Sequence, residues 1–437
     1  RRFGDSNGHM AFQSRHGQLS FRSGMREILV ERGMSSKDEA DAMLDRAYVQ
    51  SKEADPETIY DVRPPRGVDL VLWLAFLLDD AVWVHGGRDD DMDDFSVHGN
   101  ILLSNIDVWR QDGSYALAGI DMTTGDKIRW ARGDYAKAGA PELADLKITD
   151  FCGYGCAFCY QGSTKQGRHA PLERIEAILD ALKGMGVFEV AIGGGEPAHH
   201  PEFARILRMV RERGMMANFT AYGLDWMGDD HVMDALRSNP ARDRWVNCWS
   251  NMTAGVGISV HKDRDLAKIA RATHMISHDS NLRVMAQTVV GATPADVTES
   301  MLESCLDQDY PLLLLGYKPV GRGAEFARLT IDEDRLCRML ERADRHIRDM
   351  IGNEKPDDDR MDNGHGGGFT LSVDTAFLDN WGHILDRMGV PQILRSSPEG
   401  KFSMYVDAVE NRCGPSSYVP AANLEPVADL KAQFRAY

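Results

Sequence analysis

The sequence predicts an α/β fold, in which a parallel β-sheet has helices packed on its outside. Between about residues 143 and 352, six strand-like segments alternate with six helix-like segments, and this regular alternation is typical of parallel sheets. Right-handed crossovers curl such a sheet towards a barrel. The chain has 437 residues, enough for one barrel-sized domain with additions at both ends.

Each predicted strand is a short apolar run, and each predicted helix is a longer segment with apolar residues at helical spacing. The expected strands are Leu146–Thr149, Phe188–Ile192, Ala217–Ala221, Val256–Val260, Leu282–Val289 and Pro311–Tyr317. The expected helices are Pro171–Lys183, Pro201–Arg213, Asp230–Ser238, Arg264–Ser277, Pro294–Asp307 and Ile331–Met350. Barrels of this type carry their sites at the carboxyl ends of the strands, so functional residues are expected in the loops that follow.

The N-terminal region, from about residue 10 to 142, is expected to be α+β. Its predicted elements are two helices, a β-hairpin and a short strand, at Met25–Val49, Val68–Val84, Asn100–Trp109 with Tyr115–Asp121, and Ile128–Trp130. The acidic run Gly86–Asp94 is interpreted as a solvated loop, with a metal site as the alternative. Residues 1–9, before Met10, are interpreted as a vector-derived tag.

The C-terminal region, from about residue 353 to 437, is expected to be a small α+β extension. It begins with a polar, glycine-rich linker, Glu354–Gly368. The elements predicted after the linker are a strand, a helix, a second strand and a turn, at Phe369–Val373, Phe377–Arg387, Phe402–Val406 and Asp407–Asn411.

Three cysteines follow the first predicted barrel strand, with the spacing C-x3-C-x2-C. They are Cys152, Cys156 and Cys159, and the next cysteine, Cys248, is far along the chain. Three thiolates on one loop can hold three corners of a cubane iron–sulfur cluster and leave the fourth iron open to a ligand that is not protein. The alternative is a structural zinc site or a buried thiol cluster.

A second motif, Gly193-Gly194-Gly195-Glu196-Pro197, ends the second predicted strand. Together the two motifs resemble those of the radical S-adenosylmethionine (SAM) superfamily. The resemblance implies a [4Fe-4S] cluster and SAM as cofactors, and an electron donor such as flavodoxin or ferredoxin. It assigns Gly194, Gly195, Glu196 and Pro197 to SAM binding. It also narrows the fold to a partial (β/α)6 TIM-type barrel.

Residues at the other strand ends are candidates for SAM binding by the same resemblance. Ser259 could instead be a sheet-capping hydroxyl. Gln287 is an amide in an apolar strand, so it needs a partner and is expected to face the ligand. Lys318 and Arg322 suit a carboxylate of SAM or substrate, with ordinary surface charge as the alternative. The remaining candidates are Thr220 and two aromatic residues that flank the third cysteine, Phe158 and Tyr160.

The end of the sixth strand and the C-terminal region resemble peptide-modifying radical SAM enzymes with a SPASM or twitch-type extension. The cysteines that bind auxiliary clusters in those relatives are missing here from Val373–Phe377 and Ser397–Ser403. A single cluster is therefore expected. A second one assembled from scattered cysteines is the alternative, and those are Cys248, Cys305, Cys337 and Cys413.

The resemblance implies that SAM is reductively cleaved to a 5′-deoxyadenosyl radical, which abstracts hydrogen from a substrate. The preferred substrate is a side chain of a ribosomally made peptide or protein, changed by modification, crosslinking or epimerisation. The alternatives are a small molecule (a sugar, nucleoside or natural-product precursor) and a non-catalytic iron–sulfur protein. Candidate catalytic residues are Cys413 and Cys248, as hydrogen donors, and Tyr317.

Composition restricts the partners. The formal net charge is −17, and basic residues are scattered rather than clustered, so nucleic acid is not an expected partner. The longest apolar stretch, Val71–Leu78, is too short to cross a bilayer, and no signal peptide is recognised. An oxygen-sensitive cluster implies a reducing compartment, so a cytoplasmic location is expected.

Overall fold

A computed structural model describes residues 83–85, 108–113, 116–122, 125, 127–131, 136–237, 254–276, 282–308, 310–353, 369–390 and 399–437. The chain divides into two compact units, Arg1–Ala136 and Lys137–Tyr437. Several predicted features lie outside the described residues: the helix Met25–Val49, most of Val68–Val84, the acidic run, the linker and Cys248.

The first unit contains a four-stranded antiparallel sheet with the strand order β1-β4-β3-β2. Its strands are β1 (Trp83–His85), β2 (Val108–Asp112), β3 (Ala116–Ile120) and β4 (Lys127–Ala131). The predicted hairpin is confirmed, since β2 and β3 pair antiparallel with Asp112 opposite Ala116. The end of the predicted helix Val68–Val84 is wrong, because Trp83 and Val84 belong to β1 and pair with β4. Aromatic and β-branched residues fit a strand well once a partner strand is present.

The second unit is built on the predicted alternation of strands and helices. Its parallel strands are β5 (Leu143–Thr149), β6 (Glu189–Gly194), β7 (Met216–Ala221), β8 (Ala254–Ser259), β9 (Leu282–Val289) and β10 (Leu312–Leu315). The helices between and after them are α1 (Leu172–Met185), α2 (Phe203–Glu212), α3 (Asp230–Arg237), α4 (Leu266–Ile276), α5 (Ala295–Asp307) and α6 (Glu333–Asn353). Each strand pairs in parallel with the next, in chain order. The α/β prediction is confirmed.

Prolines set where two of the helices begin. Pro171 and Pro294 keep extended backbone angles and stand as the N-caps of α1 and α5, so each helix begins one residue later than predicted. At the other end of α1, Gly186 adopts a left-handed conformation (φ 74°), and its amide bonds to the last carbonyls of the helix.

The outer face of the sheet packs against the helices, and the other face lines the barrel interior. Phe219 of β7 is 3% exposed and meets Phe203 of α2 edge to face, with ring centroids 5.2 Å apart. Side chains alternate between the faces of a strand. Asn218 and Thr220 therefore point to the interior, where the polar groups of the site are found.

The C-terminal region extends the same sheet at both edges. β11 (Leu371–Val373) pairs in parallel with β10, and β12 (Ser403–Asp407) pairs in parallel with β5. Two antiparallel strands then follow, β13 (Arg412–Gly414) and β14 (Glu425–Pro426). Helix α7 (Thr375–Arg387) follows β11, and α8 (Leu430–Ala436) lies near the C-terminus.

A buried ion pair joins the C-terminal region to the barrel. Lys147 of β5 lies 3.0 Å from Asp407 of β12, and both residues are nearly inaccessible, at 7% and 4% exposure. The other carboxylate oxygen of Asp407 accepts the amides of Val409 and Glu410, both at 2.9 Å. Lys147 also pairs with Asp150 (2.5 Å), so removing Lys147 would leave Asp407 buried without its cation. The pair ties β12 to β5.

Candidate functional site

The three cysteines lie on one loop between β5 and α1, and backbone hydrogen bonds fold this loop back on itself. The amide of Cys152 donates to the carbonyl of Thr164 (2.9 Å), and the amide of Thr164 donates to Asp150 (3.1 Å). The amide of Cys159 donates to the carbonyl of Cys156 (3.2 Å). The loop, residues 150–170, is called the cluster loop below.

The cysteines of the cluster loop are free and half-buried. Burial raises the pKa of the Cys152 thiol, and burial together with the neighbouring Cys159 and Cys152 raises the pKa of Cys156. Bound iron would offset this cost, since a metal favours the thiolate. No three metal-ligating side chains in the described residues converge on a single ion. A cubane does not require this, because each thiolate binds a different iron.

The glycines after β6 bring that strand end against the cluster loop. Gly194 has φ 126°, and a Cβ there would lie 2.2 Å from the carbonyl oxygen of Thr149. A Cβ on Gly195 would lie 2.1 Å from the carbonyl oxygen of Phe151. The motif alone predicts a close approach of SAM at these glycines. In the structure, the backbone that they approach is that of the cluster loop.

Glu196 offers a buried carboxylate oxygen without a partner. The side chain is 3% exposed; Oε2 accepts the amide of Tyr222 (3.0 Å), whereas Oε1 has no hydrogen-bond partner within the described part of the chain. Burial raises the pKa of Glu196 to about 7, although the amides of Tyr222 and Gly223 oppose the shift. A buried polar atom without a partner is costly, so this oxygen suits the ammonium group of a ligand. Pro197, which follows it, is buried and starts a short 3-10 helix.

The interior residues predicted from β7, β8 and β9 lie together. Thr220 Oγ1 donates to Gln287 Oε1 at 3.2 Å. The Gln287 side chain packs over Gly257, where a Cβ would lie 2.0 Å from Nε2. The sequence predicts that the Gln287 amide faces a ligand. In the structure the partner of its oxygen is Thr220. Ser259 is half-buried at the end of β8, two residues beyond Gly257.

A cluster of polar and aromatic side chains beyond β7 and β8 was not predicted as a unit from the sequence. The Tyr222 hydroxyl lies 3.1 Å from a carboxylate oxygen of Asp265, and His261 stacks on the Tyr222 ring with centroids 5.5 Å apart. Lys268 Nζ lies 3.3 Å from the centroid of the same ring and 3.1 Å from Asp265. Burial lowers the pKa of His261 to about 4, so the imidazole is neutral at neutral pH.

The polar and aromatic group around Tyr222 contacts the cluster loop through Phe158. The Phe158 ring meets the His261 ring edge to face, with centroids 4.9 Å apart. Phe158 also contacts Phe326, at 5.7 Å. Phe158, a candidate for SAM binding by the resemblance, thus packs against two aromatic side chains from outside the loop. The sequence contains polar and aromatic residues after the ends of β7 and β8. Their contact with one another is seen only in the fold.

Arg322 contacts the cluster loop. Its Nε donates to the carbonyl of Cys156 (3.0 Å) and Nη1 to that of Ser163 (2.6 Å). Its backbone amide donates to the carbonyl of Cys159 (3.0 Å). From the sequence, this cation is expected to meet a carboxylate of SAM or substrate. In the structure the partners of Nε and Nη1 are backbone carbonyls of the loop.

Lys318 lies in a half-buried ionic cluster with the C-terminal region. Its Nζ is 3.7 Å from Asp374 Oδ2, 4.7 Å from the centroid of the Tyr160 ring and 5.1 Å from that of Tyr418. Burial acts to lower the pKa of Lys318, but its anionic surroundings, Asp374 among them, outweigh burial and raise it. Burial raises the pKa of Asp374 despite Lys318. Lys318 and Tyr160 thus serve the junction between the cluster loop and the C-terminal region.

The two catalytic candidates that the structure describes, Tyr317 and Cys413, have partners elsewhere, and Cys248 lies outside the described residues. Tyr317 is 5% exposed, and its hydroxyl contacts the backbone carbonyls of Gly323 and Phe326, which indicates a structural role. Cys413 is fully buried in β13, where it accepts a hydrogen bond from the Tyr437 hydroxyl at 3.3 Å. Cys305 and Cys337 lie in the hydrophobic core. Among the described cysteines, no second set forms a cluster site.

Comparison with known proteins agrees with this geometry. Residues 146–279 match the family model of the radical SAM superfamily. A probable GTP 3′,8-cyclase from Pyrobaculum aerophilum is 31% identical over 78 residues, which are 17% of this chain. The chain spans about a quarter, 25%, of the length of that relative. The residues that match the family model include the cluster loop and the Gly-Gly-Glu-Pro turn.

Solved structures with a similar arrangement include SuiB of Streptococcus suis and anSMEcpe. SuiB bound to S-adenosylmethionine has a TM-score of 0.48 and 12% identity, over 71% of this chain and 81% of that chain. SuiB bound to the precursor peptide SuiA has a TM-score of 0.46 and 13% identity, over 68% of this chain and 64% of that chain. anSMEcpe with bound AdoMet and the Cp18Cys peptide has a TM-score of 0.44 and 13% identity, over 68% of this chain and 79% of that chain.

The residues present fit the two cofactors of the superfamily. Three free thiols stand on one loop without a fourth cysteine beside them, and Glu196 presents an oxygen without a partner. A [4Fe-4S] cluster would take Cys152, Cys156 and Cys159, and the ammonium group of SAM would satisfy Glu196. Among the described residues, none of the helices combines the length and apolar character needed to cross a membrane.

Proposed function

We propose that this chain is a radical SAM enzyme with one [4Fe-4S] cluster. The observation that carries the proposal is the close packing of the three-cysteine loop against the turn that contains Glu196. The amide of Glu196 donates to Phe151, next to Cys152, at 2.9 Å. When bound, the cluster and SAM supply one-electron cleavage of a sulfur–carbon bond and a radical that removes hydrogen from an unactivated carbon.

The protein residues bind and orient these groups. Cys152, Cys156 and Cys159 would hold three irons, and Glu196 would accept a hydrogen bond from the amino group of SAM, which would fix that end of the molecule. On one side of the loop Phe158, His261 and Phe326 exclude water. Exclusion of water protects a reactive radical from side reactions.

The proposal is tested by anaerobic reconstitution with iron and sulfide, followed by dithionite and SAM. Wild-type protein should release 5′-deoxyadenosine, and single replacements of Cys152, Cys156 or Cys159 by alanine should each abolish it. Cys337→Ala is the matched control, because this thiol lies in the hydrophobic core. Equal 5′-deoxyadenosine from wild-type protein and the three loop variants would contradict the proposal.

The proposed substrate is a side chain of a ribosomally made peptide or protein. The feature that favours a peptide is the segment after β10, Lys318 to Arg322, whose sequence resembles that of peptide-modifying radical SAM enzymes. SuiB, one of the structurally similar proteins, binds a precursor peptide, SuiA.

The alternative substrate is a small molecule such as a sugar, nucleoside or natural-product precursor. Polar side chains in the barrel interior favour it: Asn218 accepts the amide of Gly255 (2.8 Å) and donates to Glu189 (3.3 Å). The name of the curated relative, a GTP 3′,8-cyclase, refers to a nucleotide. Deuterated candidates distinguish the classes, because deuterium should enter 5′-deoxyadenosine only from the true substrate.

The proposed enzyme also needs an electron donor such as flavodoxin or ferredoxin. Dithionite replaces this partner in the assay above. A donor protein that supports 5′-deoxyadenosine formation without dithionite would establish the partnership, and failure of both donor classes would leave only the chemical reductant.

A further inference from the structure

The turn after β10 forms a second attachment for the cluster loop, far from it in sequence. Arg322 and the carbonyl of Cys156 are 166 positions apart, yet Nε lies 3.0 Å from that oxygen. Nη1 reaches the carbonyl of Ser163 at 2.6 Å, and the backbone amide reaches that of Cys159 at 3.0 Å. One residue thus binds carbonyls along the segment that contains two of the three cysteines.

The backbone beside Arg322 is shaped for this contact. Gly321 has φ 58°, and a Cβ there would lie 2.3 Å from the carbonyl oxygen of Tyr160. Any side chain at this position would push the turn away from the loop. The close approach is therefore part of how the turn is built.

Arg322 also has one buried donor that the loop does not use. Its Nη2 is buried and has no hydrogen-bond partner within the described part of the chain. A buried N–H group without an acceptor is costly, and a guanidinium is charged at every physiological pH. An anionic group next to the loop would satisfy this donor.

We infer that Arg322 is a positioning residue that fixes the cluster loop and stabilises the reduced state of the bound cluster. This inference rests on the proposed function. Reduction adds one electron to the cluster and makes it more negative, and a fixed positive charge nearby lowers the energy of that state. The midpoint potential should therefore be higher with Arg322 than without its charge.

The test uses full-length protein, reconstituted anaerobically, in which wild type, R322Q and R322K are compared. Iron per chain is counted, and the midpoint potential is measured by a redox titration followed by electron paramagnetic resonance. In R322Q the ratio of reduced to oxidised cluster at a fixed potential should fall by up to roughly tenfold, which equals about 59 mV for a one-electron couple. R335Q is the matched control, because Arg335 pairs with Glu299 on the outer helices.

R322K separates charge from geometry. Lysine keeps the positive charge but lacks the planar set of N–H donors of arginine. The midpoint potential of R322K should therefore stay near that of wild type, while its iron content per chain falls. Loss of iron from both variants at an unchanged melting temperature would support the positioning role. An unchanged potential in R322Q, or a shift in R322K or R335Q as large as that in R322Q, would overturn the inference alone. A wild-type chain that binds no cluster would instead overturn the proposed function.

Discussion

At the scale of single residues, buried polar atoms without partners mark the site more clearly than residue types do. Glu196 Oε1 and Arg322 Nη2 are both buried and lack partners in the described part of the chain. They come from distant strands of the six-stranded series, after β6 and after β10, and both residues contact the cluster loop. In the proposed enzyme, the amino group of SAM would satisfy Glu196 and the anionic cluster would satisfy Arg322.

The pH dependence of stability tests the burial of Glu196. The folded pKa is raised to about 7 from 4.5. The protonated Glu196 side chain contributes its full stabilisation below the pKa of the unfolded state. This stabilisation is lost as the pH rises through the pKa of the folded state. The contribution of Glu196 to the unfolding free energy of the cofactor-free protein should therefore fall by about 3 kcal/mol across this range. The lowered pKa of His261 acts in the opposite direction, so the contribution of Glu196 is the difference between wild type and E196Q.

Urea denaturation at a series of pH values measures this loss. Between pH 4.5 and 7, the stability of wild type should change relative to that of E196Q by about 3 kcal/mol, because the glutamine side chain does not titrate. Glu202→Gln is the matched control, because Glu202 is exposed. A pH profile of E196Q identical to that of wild type would show that Glu196 is not the titrating group.

At the scale of elements, the start of α7 joins the barrel to the C-terminal region. Asp374 caps this helix by accepting the amide of Phe377 (2.7 Å), and the same oxygen accepts the amide of Gly316 after β10 (2.7 Å). Its other oxygen faces Lys318. The segments 373–377 and 397–403 lack the auxiliary-cluster cysteines of the relatives, and the second is described from residue 399 onward. They instead supply Asp374 and Glu399 to the surroundings of this lysine.

Replacement of Asp374 by alanine should destabilise the protein by about 3 kcal/mol. The loss combines a helix cap, about 1 kcal/mol, with a half-buried lysine left without its closest anion. Urea denaturation at neutral pH measures it. Asp429→Ala is the matched control, because Asp429 caps α8 at an exposed position and accepts the amides of Lys431 and Ala432. Equal losses in the two variants would contradict a role for the half-buried charge.

At the scale of the whole chain, the C-terminal strands belong to the barrel sheet of the second unit. β12 lies beside β5 and continues into β13 and β14, so the ten-stranded sheet runs from β11 to β14 without interruption. The Lys147–Asp407 pair is buried at this junction. We therefore expect residues 137–437 to unfold as one cooperative unit.

Native-state hydrogen exchange tests this cooperativity. The amide of Ala408, which donates to Lys147 (2.9 Å), should exchange with the same opening free energy as amides within β5. Amides of the terminal helix α8 serve as the internal control and should exchange sooner. A lower opening free energy for β12 than for β5 would show that the C-terminal region is a separate folding unit.

The alternation of strands and helices was predictable because apolar runs and periodic segments are local signals. Short elements were not: β1 was assigned to a helix, and β13, β14 and α8 were missed, because they depend on pairing and packing with distant segments. The cysteines and Glu196 were found from motifs that are contiguous in sequence. The contact of Arg322 with the carbonyl of Cys156 joins residues that are 166 positions apart, so no local signal predicts it. In the sequence, Lys318 and Arg322 after β10 were equally consistent with binding a ligand.

The central claim is that three loop cysteines leave one iron open for SAM. Electron–nuclear double resonance on the reduced cluster, with SAM labelled by ¹⁵N at its amino group, tests it most directly. The account predicts a coupling between the cluster and the labelled nitrogen in wild type, which is lost in Cys156→Ala. A cluster with four protein ligands and no coupling to the label would contradict it.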